Sequence, residues 1–257
     1  MALTTDGLAH EYVGKLNAHT SYSSTATTWH DLVGSADITL VNFDMDYPTT
    51  SGWHGDGSAG DPYRIHSAGG AATAESYMQI AGGNWQDSPF SVEMWVYPEE
   101  SVTGYNQVFL WHRDASPDSG FWLYLGTSGD YFKYSVRATT SYYDFKSSHP
   151  AADGMRHIVL TFGSDSWQAY YNGGVSGSAQ SHTYTVNTDT TIWLGRNDTG
   201  GYGMHGDWAT IRWYSKALSA DEVAANYAAG VTAASTDSAF MPHIMCHHFI
   251  PQQLGGH

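Results

Sequence analysis

Cysteine occurs once in the 257 residues, as Cys246. No disulfide can form within the chain, and none is needed at this length, since packing alone buries roughly 70–75% of the unfolded surface. Positive charge is also scarce: 10 Lys and Arg stand against 25 Asp and Glu, a formal net charge of -15. That sign repels phosphate backbones and anionic lipid, so neither nucleic acid nor a membrane is an expected partner. Charged residues of both signs make up only 14% of the chain, well under the roughly 25% of an average protein. Long apolar runs are missing, and none approaches the ~18 residues of a membrane span. Residues 1–15 hold no basic stretch followed by an apolar one. The expectation is synthesis in a cytoplasm without export by a signal peptide.

What the sequence does hold is short alternating segments punctuated by Gly, Asn, Asp and Ser. Phe90, Val92, Met94 and Val96 share one face of a segment that Pro98 closes. Segments 108–112 and 121–125 flank a loop at 114–120 and read as a hairpin. Segment 131–137 follows. Ile158, Leu160 and Phe162 alternate in 157–162, and 167–171 runs into Asn172-Gly173, a pair that favours a type I′ turn. Segments 191–194 and 208–214 complete the set. Many short strands without βαβ alternation predict an all-β sandwich or barrel.

One helix is marked. Ser219 is a candidate N-cap with Glu222 three residues on, Leu218 and Val223 form a candidate staple, and Gly230 stops the helix. The stretch from Tyr47 to Gly83 is rich in Gly, Ser, Thr and Ala and is expected to be an elaborate loop region.

Several segments together resemble the laminin-G-like, concanavalin-A-like superfamily, over about residues 8–230. Trp29-His30-Asp31-Leu32-Val33-Gly34 resembles its early W-x-D-L-x-G segment, and Phe90 to Pro98 its F-S-x-x-x-W-V-x-P strand. Residues 156–162 and 167–173 resemble its strand pair ending in Y-N-G. Residues 192–196 and 212–223 resemble its L-G strand and its closing strand and helix. The resemblance implies an antiparallel jelly-roll β-sandwich with one short C-terminal helix, spanning 1–230. Residues 231–257 are then a tail, for docking or assembly, that the core does not require. Its Phe240, Met241, Ile244, Met245, Phe249 and Ile250 are the candidate assembly contacts.

The chemistry of the sequence argues against catalysis. Retaining hydrolases of this fold carry carboxylates on one strand as E-x-D-x-x-E, and retaining chemistry needs a pair of carboxyls about 5–5.5 Å apart. Here Glu93 is the sole candidate, with Ser91 and Trp95 at i−2 and i+2. Gly-x-Ser-x-Gly and His-Glu-x-x-His are both absent. The His243, Cys246, His247, His248 cluster offers soft-metal ligands, but an apolar docking tail is the preferred reading, and no metal centre is predicted.

Relatives often hold calcium through an Asp-Asp pair, whose positions here are Ala209 and Thr210. Asp31, Asn197, Asp198 and Asp207 remain as oxygen donors for such an ion. For a glycan, Trp53, Trp85, Trp111, Trp122 and Tyr202 lie in or beside loops. Loop 195–206 supplies the candidate rim: Arg196, Asn197, Asp198, Tyr202 and His205.

The function expected from the resemblance is a non-catalytic virion structural protein of a bacteriophage, a capsid decoration or tail-surface subunit. It would be made in the host cytoplasm and carried on the virion surface. Its expected partners are other virion or capsid proteins, further copies of itself, and surface glycans. The alternative is a carbohydrate-binding, lectin-like module of a cell-surface protein.

Overall fold

The computed structural model describes residues 2–69, 76–81, 89–98, 106–115, 118–126, 132–138, 141–146, 154–181 and 191–235. Within them the first strands are β1 (Leu8–Val13), β2 (Thr28–Trp29), β3 (Ile38–Val41), β4 (Gly52–His54), β5 (Arg64–Ala68) and β6 (Tyr77–Ile80). Then come β7 (Phe90–Pro98), β8 (Gln107–Ala115), β9 (Asp118–Leu125), β10 (Phe132–Ala138) and β11 (Ser141–Lys146). β12 (Arg156–Phe162), β13 (Ser166–Tyr171), β14 (Gly174–Ser181), β15 (Ile192–Leu194), β16 (His205–Tyr214) and helix α1 (Ala220–Ala229) complete the order.

The strands form two eight-stranded antiparallel sheets, the jelly-roll sandwich that the sequence predicts. The first runs β14-β13-β12-β7-β16, and β5 and β1 then share the far edge of β16, with β4 outside β5. The second runs β11-β10-β9-β8-β15-β6-β3-β2.

Alternation decides which side chains meet between the sheets. Val92, Met94 and Val96 of β7 face Leu110 of β8, Phe121, Leu123 and Leu125 of β9, and Ile192 and Leu194 of β15 in one apolar cluster. Asn172 and Gly173 turn the β12–β13 hairpin into β14 with φ of 47° and 79°, as the sequence predicts.

Two expectations are corrected. The stretch 47–83 is not a loop region: it contributes β4, β5 and β6, strands of only three to five residues broken by glycine. Runs so short carry too few alternations to register as strands. The β8–β9 loop is also tighter than 114–120, because the ladder continues to Ala115 paired with Asp118.

Asp31 explains the early Trp-His-Asp-Leu-Val-Gly segment. Its Oδ1 accepts the backbone N–H groups of Glu11 (3.1 Å), Val33 (3.1 Å) and Gly34 (3.0 Å). Its Oδ2 accepts from Ala36 (3.2 Å) and lies 2.6 Å from His10 Nδ1. The carboxylate thus folds the turn and ties it to β1. A Cβ on Gly34 would sit 2.5 Å from His10 Nδ1 and 2.6 Å from Asp31 Oδ2, so only glycine fits there. Trp29, fully buried, anchors the same segment in the core.

Around β7, β12 and β16 the outer face of the first sheet is covered by α1. Ser219 caps α1 in a complete capping box with Glu222, and Leu218 and Val223 pack with Val159, Tyr170 and Tyr214. Beneath the helix lies a polar network with no solvent exposure. Arg212 Nε donates to Glu11 (2.8 Å) and Nη1 to Glu93 (2.7 Å), while Nη2 donates to the Ala233 carbonyl. Glu93 also accepts from Asn226 (2.7 Å) and Tyr214 (3.1 Å), and His157 Nε2 lies 3.2 Å from it.

Residues 231–235 continue over this face. Thr210 donates to the Val231 carbonyl, and the Ser235 N–H donates to Glu11 Oε2 at 2.9 Å. The start of the tail therefore docks on its own domain and supplies partners to buried charges, so a boundary at residue 230 cuts through the network. Phe240, Met241, Ile244, Met245, Phe249 and Ile250 lie outside the described residues.

Two predictions follow from these contacts. Ser219→Ala removes the cap and should cost about 0.5–2 kcal/mol, read as a lowered urea midpoint; an unchanged midpoint would show that the cap contributes nothing. Acid should unfold the protein through Asp31 and Glu93. Burial opposes ionisation at both. It is outweighed at Asp31 by His10 and backbone N–H groups, and at Glu93 by the Arg212 charge and His157, which hold each at about 2. Both bind protons less readily folded than unfolded, so the stability they contribute is intact above about pH 4–5 and lost as pH falls toward 2. A denaturation midpoint that stays flat from pH 5 to 2.5 would contradict this.

Candidate functional site

The outer face of the second sheet has no helix over it among the described residues. Alternation sends Phe121, Leu123 and Leu125 of β9 inward and Trp122 and Tyr124 outward. Register then builds a row: Trp193 of β15 pairs with Trp111 of β8, which pairs with Trp122 of β9. The Trp111 and Trp122 rings are 5.2 Å apart, and Trp193 lies 5.8 Å from Tyr77 of β6.

Cations lie over this aromatic surface. Arg113 is 5.4 Å and 5.3 Å from the Trp111 and Trp122 centroids, Lys133 is 5.2 Å from Tyr124, and Arg196 is 4.4 Å from Tyr77 and 4.7 Å from Trp193. Such contacts contribute about 0.5–1 kcal/mol each at exposed sites.

A groove of about 560 Å³ opens on this face. Val108, Trp111, Trp122 and Tyr124 form its floor, and Asn106, Arg113, Asn197, Asp198, Thr199 and Tyr202 stand around it. Trp111 and Trp122 are only 7% and 3% exposed, so they are a fixed floor rather than a projecting platform. Tyr202, 42% exposed, is the ring that projects. Its backbone is held at φ 61°, which is unfavourable for a bulky side chain, and its carbonyl accepts the Val108 N–H at 3.0 Å. Strain of this kind persists only where surrounding structure enforces it.

The predicted rim residues divide. Asn197 shapes the loop, its Oδ1 accepting from the Gly201 N–H (2.7 Å) and Thr199 (3.0 Å). Asp198 and Tyr202 line the groove with it. Arg196 is beside them, donating to the Asn197 and Asp198 carbonyls while spanning Tyr77 and Trp193. His205 is not part of this group: its ring packs against His66 of the first sheet, 5.3 Å away. Of the five aromatic candidates, Trp111, Trp122 and Tyr202 meet at the groove, whereas Trp53 is core and donates to the Ala26 carbonyl. Trp85 lies outside the described residues.

Sequence reading missed Trp193. The only signal was the alternation Ile192-Trp193-Leu194, which gives its direction but not its neighbours.

The calcium candidates do not act together as oxygen ligands. Asp31 already accepts five contacts, more than the roughly four lone-pair sites of a carboxylate. Asn197 Oδ1 accepts from Gly201 and Thr199. Asp207 Oδ2 accepts from Arg64 (2.9 Å), while its Oδ1 faces His54 and His66. Burial opposes the Asp207 charge, yet the two histidines hold its carboxyl at about 2.

A family model described as the concanavalin A-like lectin/glucanases superfamily matches residues 72–224. The chain belongs to that superfamily. No curated protein matches it in sequence. Among solved structures it is similar to the binding domain of botulinum neurotoxin DC, described in complex with SialylT, at 11% identity and a TM-score of 0.63, covering 87% of this chain and 52% of that one. The same domain described in complex with rat synaptotagmin II matches at 11% identity and a TM-score of 0.62 over 87% and 51%. A third match is titled for the dependence of botulinum neurotoxin type C cell entry on two ganglioside molecules, with 10% identity, a TM-score of 0.60 and coverage of 87% and 51%. The chain spans about half the length of these structures, and at such identities the likeness is one of fold.

The superfamily's name covers lectins and glucanases, and the surroundings of Glu93 bear on whether it could serve as a glycosidase acid. A glycosidase acid must reach the substrate and keep its proton to near neutral pH. Glu93 is fully buried beneath α1, ion-paired to Arg212 and held at about 2. It is also on the opposite sheet from the groove, where Asp198 is the one carboxylate among the described lining residues. Glu93→Gln should therefore lower thermal stability, and neither it nor the native chain should release product from a β-glucan panel. Turnover that vanishes in the variant, with the midpoint unchanged, would reverse this assignment.

Proposed function

We propose that this chain is a non-catalytic, lectin-like module that binds carbohydrate in the groove of the second sheet. The observation that carries the reading is an aromatic floor on a sheet face that no helix covers among the described residues, bordered by Asn106, Arg113, Asn197 and Asp198, with the Tyr202 ring projecting beside it. Ligand sites combine apolar and aromatic walls with a few fixed polar groups. A sugar matches this arrangement, since its C–H face packs on a ring while its hydroxyls reach amide and carboxylate oxygens and guanidinium N–H groups. The Trp111 and Trp122 rings need no reorganisation to provide the floor, so little ordering entropy opposes binding.

The superfamily membership supports this reading. So does the description of matched binding domains with SialylT and gangliosides, although those ligands belong to those proteins. The carbohydrate-binding alternative is thus better supported than the virion-subunit expectation, which neither the family match nor the matched structures favour.

The test is a glycan array on the full chain, followed by titration calorimetry with the glycans retained. Tyr202→Ala and Asp198→Ala should each weaken binding at least about tenfold, or ~1.4 kcal/mol, while circular dichroism and the thermal midpoint stay unchanged. If no glycan is retained, or if both variants bind like the native chain, the groove is not a carbohydrate site.

A further inference from the structure

A second cluster lies on the outer face of the first sheet, where β4, β5 and β16 run side by side. His66 and Asp207 are directly paired across β5 and β16, and His54 comes from the neighbouring strand β4. Both imidazoles converge on one oxygen: His66 Nδ1 is 2.7 Å and His54 Nε2 is 3.2 Å from Asp207 Oδ1. The three candidate ligand atoms lie within 4.8 Å of one another. We infer that His54 Nε2, His66 Nδ1 and Asp207 Oδ1 form a site for a divalent transition-metal ion of the Zn²⁺ class, which clips strand β4 to the sheet.

Donor chemistry selects this class of ion. Two imidazoles and a carboxylate suit Zn²⁺ and its first-row neighbours, whereas calcium prefers an all-oxygen shell. The spacing fits. With ligand distances near 2.0–2.1 Å, donor atoms on a tetrahedral edge stand about 3.3 Å apart. The His54–Asp207 edge already has about this length, and the His66–Asp207 edge needs to open by about half an ångström. The two imidazole nitrogens, within 4.8 Å of each other, would close to the same edge as the rings turn onto the ion.

The surroundings orient the ligands as outer partners do at built metal sites. Arg64 Nε holds the second Asp207 oxygen at 2.9 Å, and Arg64 is itself neutralised by Asp61. Tyr47 stacks on the His54 ring at 3.7 Å, and His205 packs edge-on against His66. Tyr47 and Arg64, which touch His54 and Asp207, also line a neighbouring cavity of about 390 Å³. Because the ligands come from three strands, an ion would join the edge strand to β16 without any change in the backbone ladder.

Equilibrium dialysis of the chelator-stripped full chain against micromolar Zn²⁺ tests the site. The tail carries its own ligands (His243, Cys246, His247 and His248), so two variants are needed. The native chain should retain about one Zn²⁺ more than H54Q/H66Q. A chain carrying H243A/C246A/H247A/H248A should keep that ion and should gain several degrees of thermal midpoint in Zn²⁺ but not in Ca²⁺. The inference is overturned if H54Q/H66Q retains as much Zn²⁺ as the native chain. It is equally overturned if the tail variant retains none, an outcome that stands even if H54Q/H66Q fails to fold. In either case His54 and His66 serve only as hydrogen-bond partners of Asp207.

Discussion

Arg212 is the hub on which the first sheet's outer face depends. Its guanidinium cannot lose its proton at any ordinary pH, and at zero exposure it must be met by anions and acceptors. Glu11 from β1, Glu93 from β7 and the Ala233 carbonyl meet it, while Asn226 and Tyr214 satisfy what remains of Glu93. Removing one partner of such a buried pair costs about 3–5 kcal/mol, because the other charge is left uncompensated. The geometry therefore couples segments far apart in the chain: the first strand, the central strands, the helix and residues 231–235.

That coupling divides labour between the two sheets. The first sheet spends the part of its outer face around Arg212 on α1 and the C-terminal turn, so the polar groups of that part are committed to internal bonds. The second sheet has an aromatic outer face with no helix over it among the described residues, and Arg113 and Arg196 lie over its rings. Carbohydrate recognition fits the face whose side chains are not holding the fold together. Glu93 shows the same division from the other side: a carboxylate needed to neutralise Arg212 is not available to donate a proton to a substrate.

The parts of this arrangement that could be read in the sequence are those with local signals. Phe90 to Val96 and Ile158 to Phe162 announce their faces by alternation, Asn172-Gly173 announces a turn, and Ser219 with Glu222 announces a cap, because each effect acts within a few residues. Register across strands is not local. Trp193, Trp111 and Trp122 form one row only through two separate pairings, so sequence placed two of them near loops and passed over the third. His54, His66 and Asp207 meet across three strands, and β4 and β5 were themselves too short to be recognised. The 231–235 docking is equally invisible, since it depends on a buried arginine whose need for a carbonyl no pattern of residues expresses. His205 was grouped with the rim by proximity in sequence, whereas the pleat turned its ring to the other cluster.

The separation of faces also bears on how one sandwich can serve different ligands. Val108, Trp111, Trp122 and Tyr124 pack as a small cluster apart from the main core between the sheets. Replacing one of them repacks a few neighbours rather than the interior. Loop 195–202 is held by its own contacts, chiefly the Asn197 side chain, and by backbone bonds that include those from the Val108 N–H to the Tyr202 carbonyl and from the Met204 N–H to the Gly195 carbonyl. Its outward side chains can therefore change without disturbing either sheet. On the proposed reading, the second sheet supplies the floor of the groove and a handful of rim residues set which ligand it takes.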